Sequence, residues 1–283
     1  MRSCYILICF SVLFPFLFPV SVYRKYRSIE TRQQDSSKHV NQANQALLPR
    51  RCKFNQPQNN HHKQRALANE THRQGPNPWK VAIILNELNV PYNTEIMDFS
   101  VLHQEPFESL NPNGRVPVIE DPNTGITLFE SGAIIEYLLD MYDKQNTLHS
   151  TTSPTKYLEN QWLHFQTSGQ GPYFGQRAWF VLYHPEKNLT SVLDRYANEI
   201  KRVIGVVDNH LKKTKGQWLV GEKASYADLA WVPWFWLLPW IMGEGWEKEW
   251  QSTYPLAWEW YQRLQARPAV KSAFEARAKA MGH

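Results

Sequence analysis

The run LFESGAIIEYL, residues 128–138, sets a carboxylate, Glu130, directly ahead of a helix start. Ser131 reads as the N-cap of a helix whose apolar positions are Ala133, Ile134, Tyr137, Leu138 and Met141. Gly132 then leaves the first backbone donors without a covering side chain, which suits an anion resting on the helix start. Read alone, Ser131 is also a plain cap and Glu130 a solvated strand end. Asn77, before Pro78, is a second candidate: its oxygen can cap Trp79 or Lys80 while its NH₂ stays free to donate. Ser225-x-x-Asp228 has the spacing of a capping box and reads as structural. Cys4, Cys9 and Cys52 are the 3 cysteines of the chain, so from residue 74 onward there is no disulfide, thiolate metal site or cysteine nucleophile.

The charge is unevenly placed. Residues 1–73 hold 12 Lys/Arg against 3 Asp/Glu (net +9), and the rest holds 19 against 23 (net −4), so the overall +5 describes a basic tail on a mildly acidic body. The body shows no basic face that would argue for nucleic acid. With 12 Trp the body has material for a large core. Residues 4–22 form an apolar run of 19, near the minimum for a membrane span, and Pro15 and Pro19 weaken it as a helix. Arg24, Lys25 and Arg27 behind it would hold the body in the cytosol. Three readings stay open for this leader, taken as residues 1–28: an anchor, a signal peptide without a clear cleavage site, or a misplaced start or splice site. Residues 29–73, basic and rich in Gln and Asn, are expected to stay disordered.

From residue 74 the pattern becomes regular. PNPWKVAIILNELNV predicts a helix, YNTEIMDF a strand, and RVPVIED with ITLFE around PNTG a hairpin ahead of the Ser131 helix. From Ser153 on only helices are predicted, at about 155–183, 190–214, 225–242 and 255–280. An α/β domain at 74–149 is thus joined to an all-α bundle at 150–283.

This order resembles the glutathione transferases, and within them the fungal branch that includes the yeast nitrogen-catabolite regulator with a prion-forming tail. The resemblance runs from about Thr71 to the end and rests on GPNPWKVAIILNEL, LNPNGRVPVIED, FESGAIIEYL, HFQTSGQGPYFGQ, GEKASYADLAWVPW and RPAV, in that order. It implies a thioredoxin-like N-terminal domain, a helical-bundle C-terminal domain, a cytoplasmic homodimer and glutathione as co-substrate, with no metal. Ser131 and the backbone donors behind it would take the γ-glutamyl carboxylate, and Glu130 the ammonium of the same zwitterion. The Val116–Pro117 bond would be cis, so that Val116 pairs with the cysteinyl unit like an added strand. Arg115 and His103 would stand near the glycyl carboxylate. Gln170, Tyr173, Phe174 and Gln176 would wall a pocket for a hydrophobic electrophile, with Trp231 and Trp234 closing it or serving the bundle core.

The implied chemistry is thiol activation. A thiol of pKa about 8.5 is mostly protonated at pH 7, and the thiolate is the nucleophile. Lowering that pKa by about 2 units takes roughly 2.7 kcal/mol, and one hydrogen bond to a charged group contributes about 1.5–3 kcal/mol. One well-aimed donor therefore suffices, and Asn77 is the first candidate, with Thr71 second. The expected first β-strand, with its hydroxyl, is missing where relatives carry it: RALANETHRQ does not alternate. Without a body cysteine, conjugation or peroxide reduction through glutathione thiolate remains. The reading from a different class is a non-catalytic glutathione-binding regulator that acts through protein partners.

Overall fold

The computed structural model describes residues 4–10, 75–186 and 188–280. The central sheet has 4 strands in the order β2-β1-β3-β4. Strand β1 is Cys4–Phe10, β2 Tyr92–Asp98, β3 Val118–Asp121 and β4 Ile126–Phe129. The expectation of a missing first strand is thereby corrected. Cys4–Phe10 runs parallel to β2, with Leu7 opposite Glu95, and antiparallel to β3, with Leu7 opposite Val118. The beginning of the apolar leader is thus a central strand and not the first turns of a helical span. Its composition fits: a strand flanked on both sides in a covered sheet reads as a continuous apolar run. Among the described residues no helix is long and apolar enough to cross a membrane. Residues 11–74, with the predicted disordered segment and Thr71, lie outside the described residues.

The hairpin forms as its sequence predicts. Asp121 pairs with Ile126 across the turn, and Gly125 takes the positive φ of +75° that the turn needs. Asp121 also accepts from Asn123 N at 2.8 Å, from Tyr137 Oη at 2.6 Å and from Tyr142 Oη. The turn is therefore fastened to helix α3, Ser131–Tyr142, the next helix after the short α2, Phe107–Leu110.

Helix α1, Asn77–Glu87, is buried at every position from Pro78 to Leu85. It is covered by β1 and α3 on one side and by the second half's α7 (Tyr226–Leu229), α8 (Val232–Trp236) and α12 (Pro268–Ala280) on the other. Arg267 clamps its last turn through Glu87 at 2.5 and 2.7 Å. A helix covered all round must be apolar all round, and α1 is, apart from Asn77 and Lys80 at its start and Asn86 and Glu87 at its end.

The second half is all-helical, but its long predicted helices are broken. The predicted 155–183 helix is α4 (Thr155–Phe165), a π-helical turn (Gln166–Gln170) and α5 (Gly171–Leu182). The predicted 190–214 helix is α6, Thr190–Thr214. The predicted 225–242 helix divides into α7, α8 and α9 (Leu238–Met242), because Pro233 and Pro239 lack the donor that a continuous helix needs. Pro268 likewise separates α11, Pro255–Gln265, from α12. Helix α10, Trp246–Thr253, is a further element, seated through buried Trp246 and Trp250 one turn apart. The core here is aromatic, with Phe235 5.1 Å from Trp250 and 5.9 Å from Trp260.

Asp143, just past α3, pins the crossing between the halves. It accepts from Thr147 N at 2.7 Å, Thr147 Oγ1 at 2.6 Å and Leu148 N at 2.8 Å, with His149 Nδ1 at 2.7 Å. Burial alone would raise its pKa, but these donors outweigh burial and hold it at about 2, below the ordinary 3.8. A depressed carboxylate contributes stability above its unfolded pKa and loses it as pH falls through the folded value. Asp143 should therefore contribute about 2 kcal/mol at neutral pH, lost between about pH 4 and pH 2. Melting curves of Asp143→Asn should lie below those of the native chain at pH 6 and converge with them near pH 2; a constant gap would contradict this.

Candidate functional site

A cleft of about 550 Å³ lies between the α/β half and the helical half. Asn77 and Lys80 of α1, Arg115, Glu130 and Ser131 form one wall; Thr167, Gln176, Trp179 and Trp234 stand on the other. The sequence patterns in FESG and PNPWK thus converge on one place, although residues 77 and 131 are far apart in the chain.

Glu130 occupies the N-cap position of α3 with φ +70° and ψ 114°, and Ser131 is the first helical residue. This corrects the reading of Ser131 as the cap. A glutamate at positive φ is a strained backbone of the kind found at functional sites, costing roughly 1–3 kcal/mol. The geometry leaves the Glu130 carboxylate exposed at the cleft rim, with Ser131 buried beneath it at 5 % exposure. Ser131 Oγ accepts from Lys80 Nζ at 3.4 Å, so the hydroxyl proton remains available to an anion.

Asn77 does not cap its helix. Pro76 holds that position, and its carbonyl already takes Trp79 N at 3.1 Å. The Asn77 side-chain oxygen accepts from Trp234 Nε1 at 3.0 Å. Its NH₂ has no hydrogen-bond partner among the described residues, so the donor expected on other grounds is free all the same. Gly175 makes room for this arrangement, since a Cβ there would come within 3.2 Å of the Trp234 ring.

Arg115 is on the cleft wall and exposed. Its loop is shaped by Asn111, which donates to the Arg115 carbonyl at 2.5 Å and accepts from Asn113 N at 2.9 Å. The Val116–Pro117 bond is cis. Val116 is half-buried and lies two residues ahead of Val118, the first paired position of β3. His103 is exposed and packs its ring on Gly114, where a Cβ would come within 2.2 Å; it is not on the cleft wall.

The predicted electrophile wall divides by helical phase. Pro172, Gln176 and Trp179 share the face of α5 that lines the cleft, whereas Phe174 and Ala178 share the face that enters the core, with Gln170 of the π-helical turn buried beside them. Gln170 is 0 % exposed and donates to the Trp231 carbonyl at 3.2 Å. Phe174, also 0 % exposed, sits edge-on to Phe235 at 5.9 Å. Tyr173 is half-buried, within the electrostatic reach of Arg202 on α6, and does not line the cleft. Of these four, Gln176 alone lines the cleft. Trp231 belongs to the core at 0 % exposure, whereas Trp234 does line the cleft.

Lys80, Thr167 and Trp179 are cleft residues that the motif reading missed. Lys80 had a signal: it is the single charge inside WKVAIIL, a run apolar on every face. It is 2 % exposed and donates to Gln166 Oε1 at 2.6 Å. Burial lowers its pKa from 10.5 to about 7, against the attraction of Glu130. Gln166 is in the π-helical turn, a distortion common at functional sites. Ser225 and Asp228 do form a capping box, away from the cleft. Among the described residues no group of three His, Cys, Asp or Glu side chains could hold a metal ion.

Known proteins share this order of domains. Residues 75–141 match the N-terminal domain model of glutathione S-transferases and residues 176–277 the C-terminal domain model. A glutathione S-transferase-like protein, OpS6, of Beauveria bassiana is 46 % identical over 200 residues, covering 71 % of this chain and 90 % of its own. Protein URE2 of Kluyveromyces marxianus is 35 % identical over 239 residues, 72 % of this chain and 58 % of its own. The crystal structure of the glutathione transferase URE2P6 of Phanerochaete chrysosporium, in complex with oxidized glutathione, superposes with a TM-score of 0.67 at 42 % identity, covering 72 % of this chain and 93 % of that one. With both domain models matched in order, and a cleft built where the α/β half meets the helical half, the chain belongs to the glutathione S-transferase family.

Proposed function

We propose that the cleft binds glutathione and uses its thiolate to attack a hydrophobic electrophile or an organic peroxide. The observation that carries this reading is the placement of Asn77. Its NH₂ is unpartnered, its oxygen is held by Trp234, and it stands between the Glu130–Ser131 corner and an aromatic wall. The α-amino acid end of glutathione docks at that corner, with its carboxylate on Ser131 and the start of α3 and its ammonium at Glu130. The cysteinyl unit extends along Val116 toward Asn77, and Arg115 attracts the glycyl carboxylate. Trp179 and Trp234 offer apolar surface to the second substrate. The fold's relation to a glutathione-bound transferase supports the reading.

Asn77→Ala should lower turnover of an aryl halide with glutathione by about 10- to 100-fold, the loss of one hydrogen bond to a developing anion. Glutathione affinity should hold within about threefold in that variant. Glu130→Gln with Ser131→Ala should instead weaken glutathione binding by tenfold or more in calorimetry. No heat with glutathione in the native chain, or both variants indistinguishable from it, would end this proposal.

The second reading, a glutathione-binding regulator without catalysis, draws on the similarity to Protein URE2. Background turnover together with measurable glutathione binding would select it. The homodimer belongs to the same proposal, and Met141 of α3 with Tyr157 and Leu158 of α4 offers exposed apolar surface for it.

A further inference from the structure

Lys80 is a buried amino group with no carboxylate in hydrogen-bond contact. Its Nζ reaches two neutral oxygens, Gln166 Oε1 and Ser131 Oγ, and it forms no ion pair among the described residues. The neutral amine spends both of its N–H donors on these oxygens, and protonation adds a third donor that has no acceptor among the described residues. Gln166 cannot turn away to relieve the demand, because its Nε2 donates to Gln170 Oε1 at 2.8 Å, and Gln170 in turn donates to the Trp231 carbonyl. The amide relay is thus directional and ends with an acceptor aimed at Lys80. Glu130 is the charged group whose field reaches Lys80. Other charges on the surrounding elements are engaged elsewhere: Glu87 with Arg267, Asp228 within its box, Glu159 with Ser150 N, and Arg277 over the Trp236 ring. Arg115 is out on the exposed cleft wall.

We infer that Lys80 is a binding residue for the γ-glutamyl carboxylate, and that the site takes up a proton when that carboxylate arrives. The inference rests on the glutathione reading above. A carboxylate received by the Ser131 hydroxyl comes within reach of the same ammonium, 3.4 Å from Ser131 Oγ. With no anion beside it, burial leaves Lys80 largely unprotonated above about pH 7. An adjacent anion restores the charged form, since opposite charge raises a lysine pKa as surely as burial lowers it. Glu130 is then left to meet the ligand's ammonium.

The test uses S-methylglutathione, which has no thiol proton to release. Calorimetric titration of the native chain at pH 7.5 in phosphate and in Tris should give enthalpies that differ by the uptake of roughly 0.5–0.8 proton. Lys80→Met should bind about tenfold or more weakly, with the same enthalpy in both buffers. The analogue lacking the α-carboxylate, γ-aminobutyryl-S-methylcysteinylglycine, should bind both proteins alike and without a buffer effect. Binding by the native chain with a buffer-independent enthalpy overturns the inference, as does Lys80→Met with an affinity within twofold of native. Should Lys80→Met fail to fold, the buffer pair on the native chain decides alone. If the native chain binds no S-methylglutathione, the glutathione reading itself fails, and this inference with it.

Discussion

Replacing Leu7 with proline should abolish cooperative folding of the α/β half. Leu7 is in the interior of the sheet, opposite Glu95 of β2 on one side and Val118 of β3 on the other. A proline there removes a ladder donor and sets its ring against a neighbouring strand, a loss of about 3 kcal/mol or more. That is a large share of the roughly 5–15 kcal/mol by which domains are stable. α1 packs on β1 and also carries the second half, so the damage should spread beyond the sheet. A thermal melt followed by near-ultraviolet circular dichroism reads the result. If residues 4–22 served only as a leader, the same substitution would leave the melt of the body unchanged, and that outcome would remove β1 from the fold.

Asp228→Ala should have the next largest effect. A capping-box residue on a surface helix costs about 1 kcal/mol, as its sequence spacing alone suggests. The structure raises that figure. Asp228 is 0 % exposed and accepts from Leu219 N and Trp260 Nε1 at 2.8 Å through Oδ1, and from Ser225 N at 2.9 Å and Ser225 Oγ at 3.1 Å through Oδ2. Burial raises its pKa even so, the donors offsetting part of the desolvation. Truncation strands several buried donors at once, including the indole of Trp260 in the aromatic core, and should cost about 3–5 kcal/mol. The melting temperature should fall by about 10 °C or more, while glutathione affinity of the folded fraction stays unchanged. A drop of only one or two degrees, or a selective loss of affinity, would show the box to be something other than an anchor of the bundle.

What could be read from the sequence was local. The β3–β4 hairpin, α1, α6 and the capping box each follow from neighbours within a few positions: PNTG between two apolar runs, Pro78 at a helix start, Ser225 three residues ahead of Asp228. Strand β1 escaped for two physical reasons. CYILICF runs on into further apolar sequence, so its end is unmarked. Residues 11–76 also separate it from α1, whereas βα connections are usually about 2–6 residues. The partition of α5 into a cleft face and a core face escaped because the run SGQGPYFGQ carries no apolar stripe that marks which helical phase is turned inward. Gln170 and Phe174 turn inward, while Gln176, two residues and about 200° further round the helix, does not. Lys80 was passed over because a lysine at a helix start is ordinarily solvated, and only the covering of α1 by elements from both halves makes this one exceptional.

If the cleft works as proposed, the bond from Trp234 Nε1 to Asn77 Oδ1 ties the wall that would receive the second substrate to the donor that would hold the thiolate. A bulky guest that pushes the indole aside would release the asparagine amide to rotate, and the strength of the attacking sulfur would change with it. On that reading, substrate preference would be a matter of reactivity as well as fit: each visitor would help to set how sharp a nucleophile it meets.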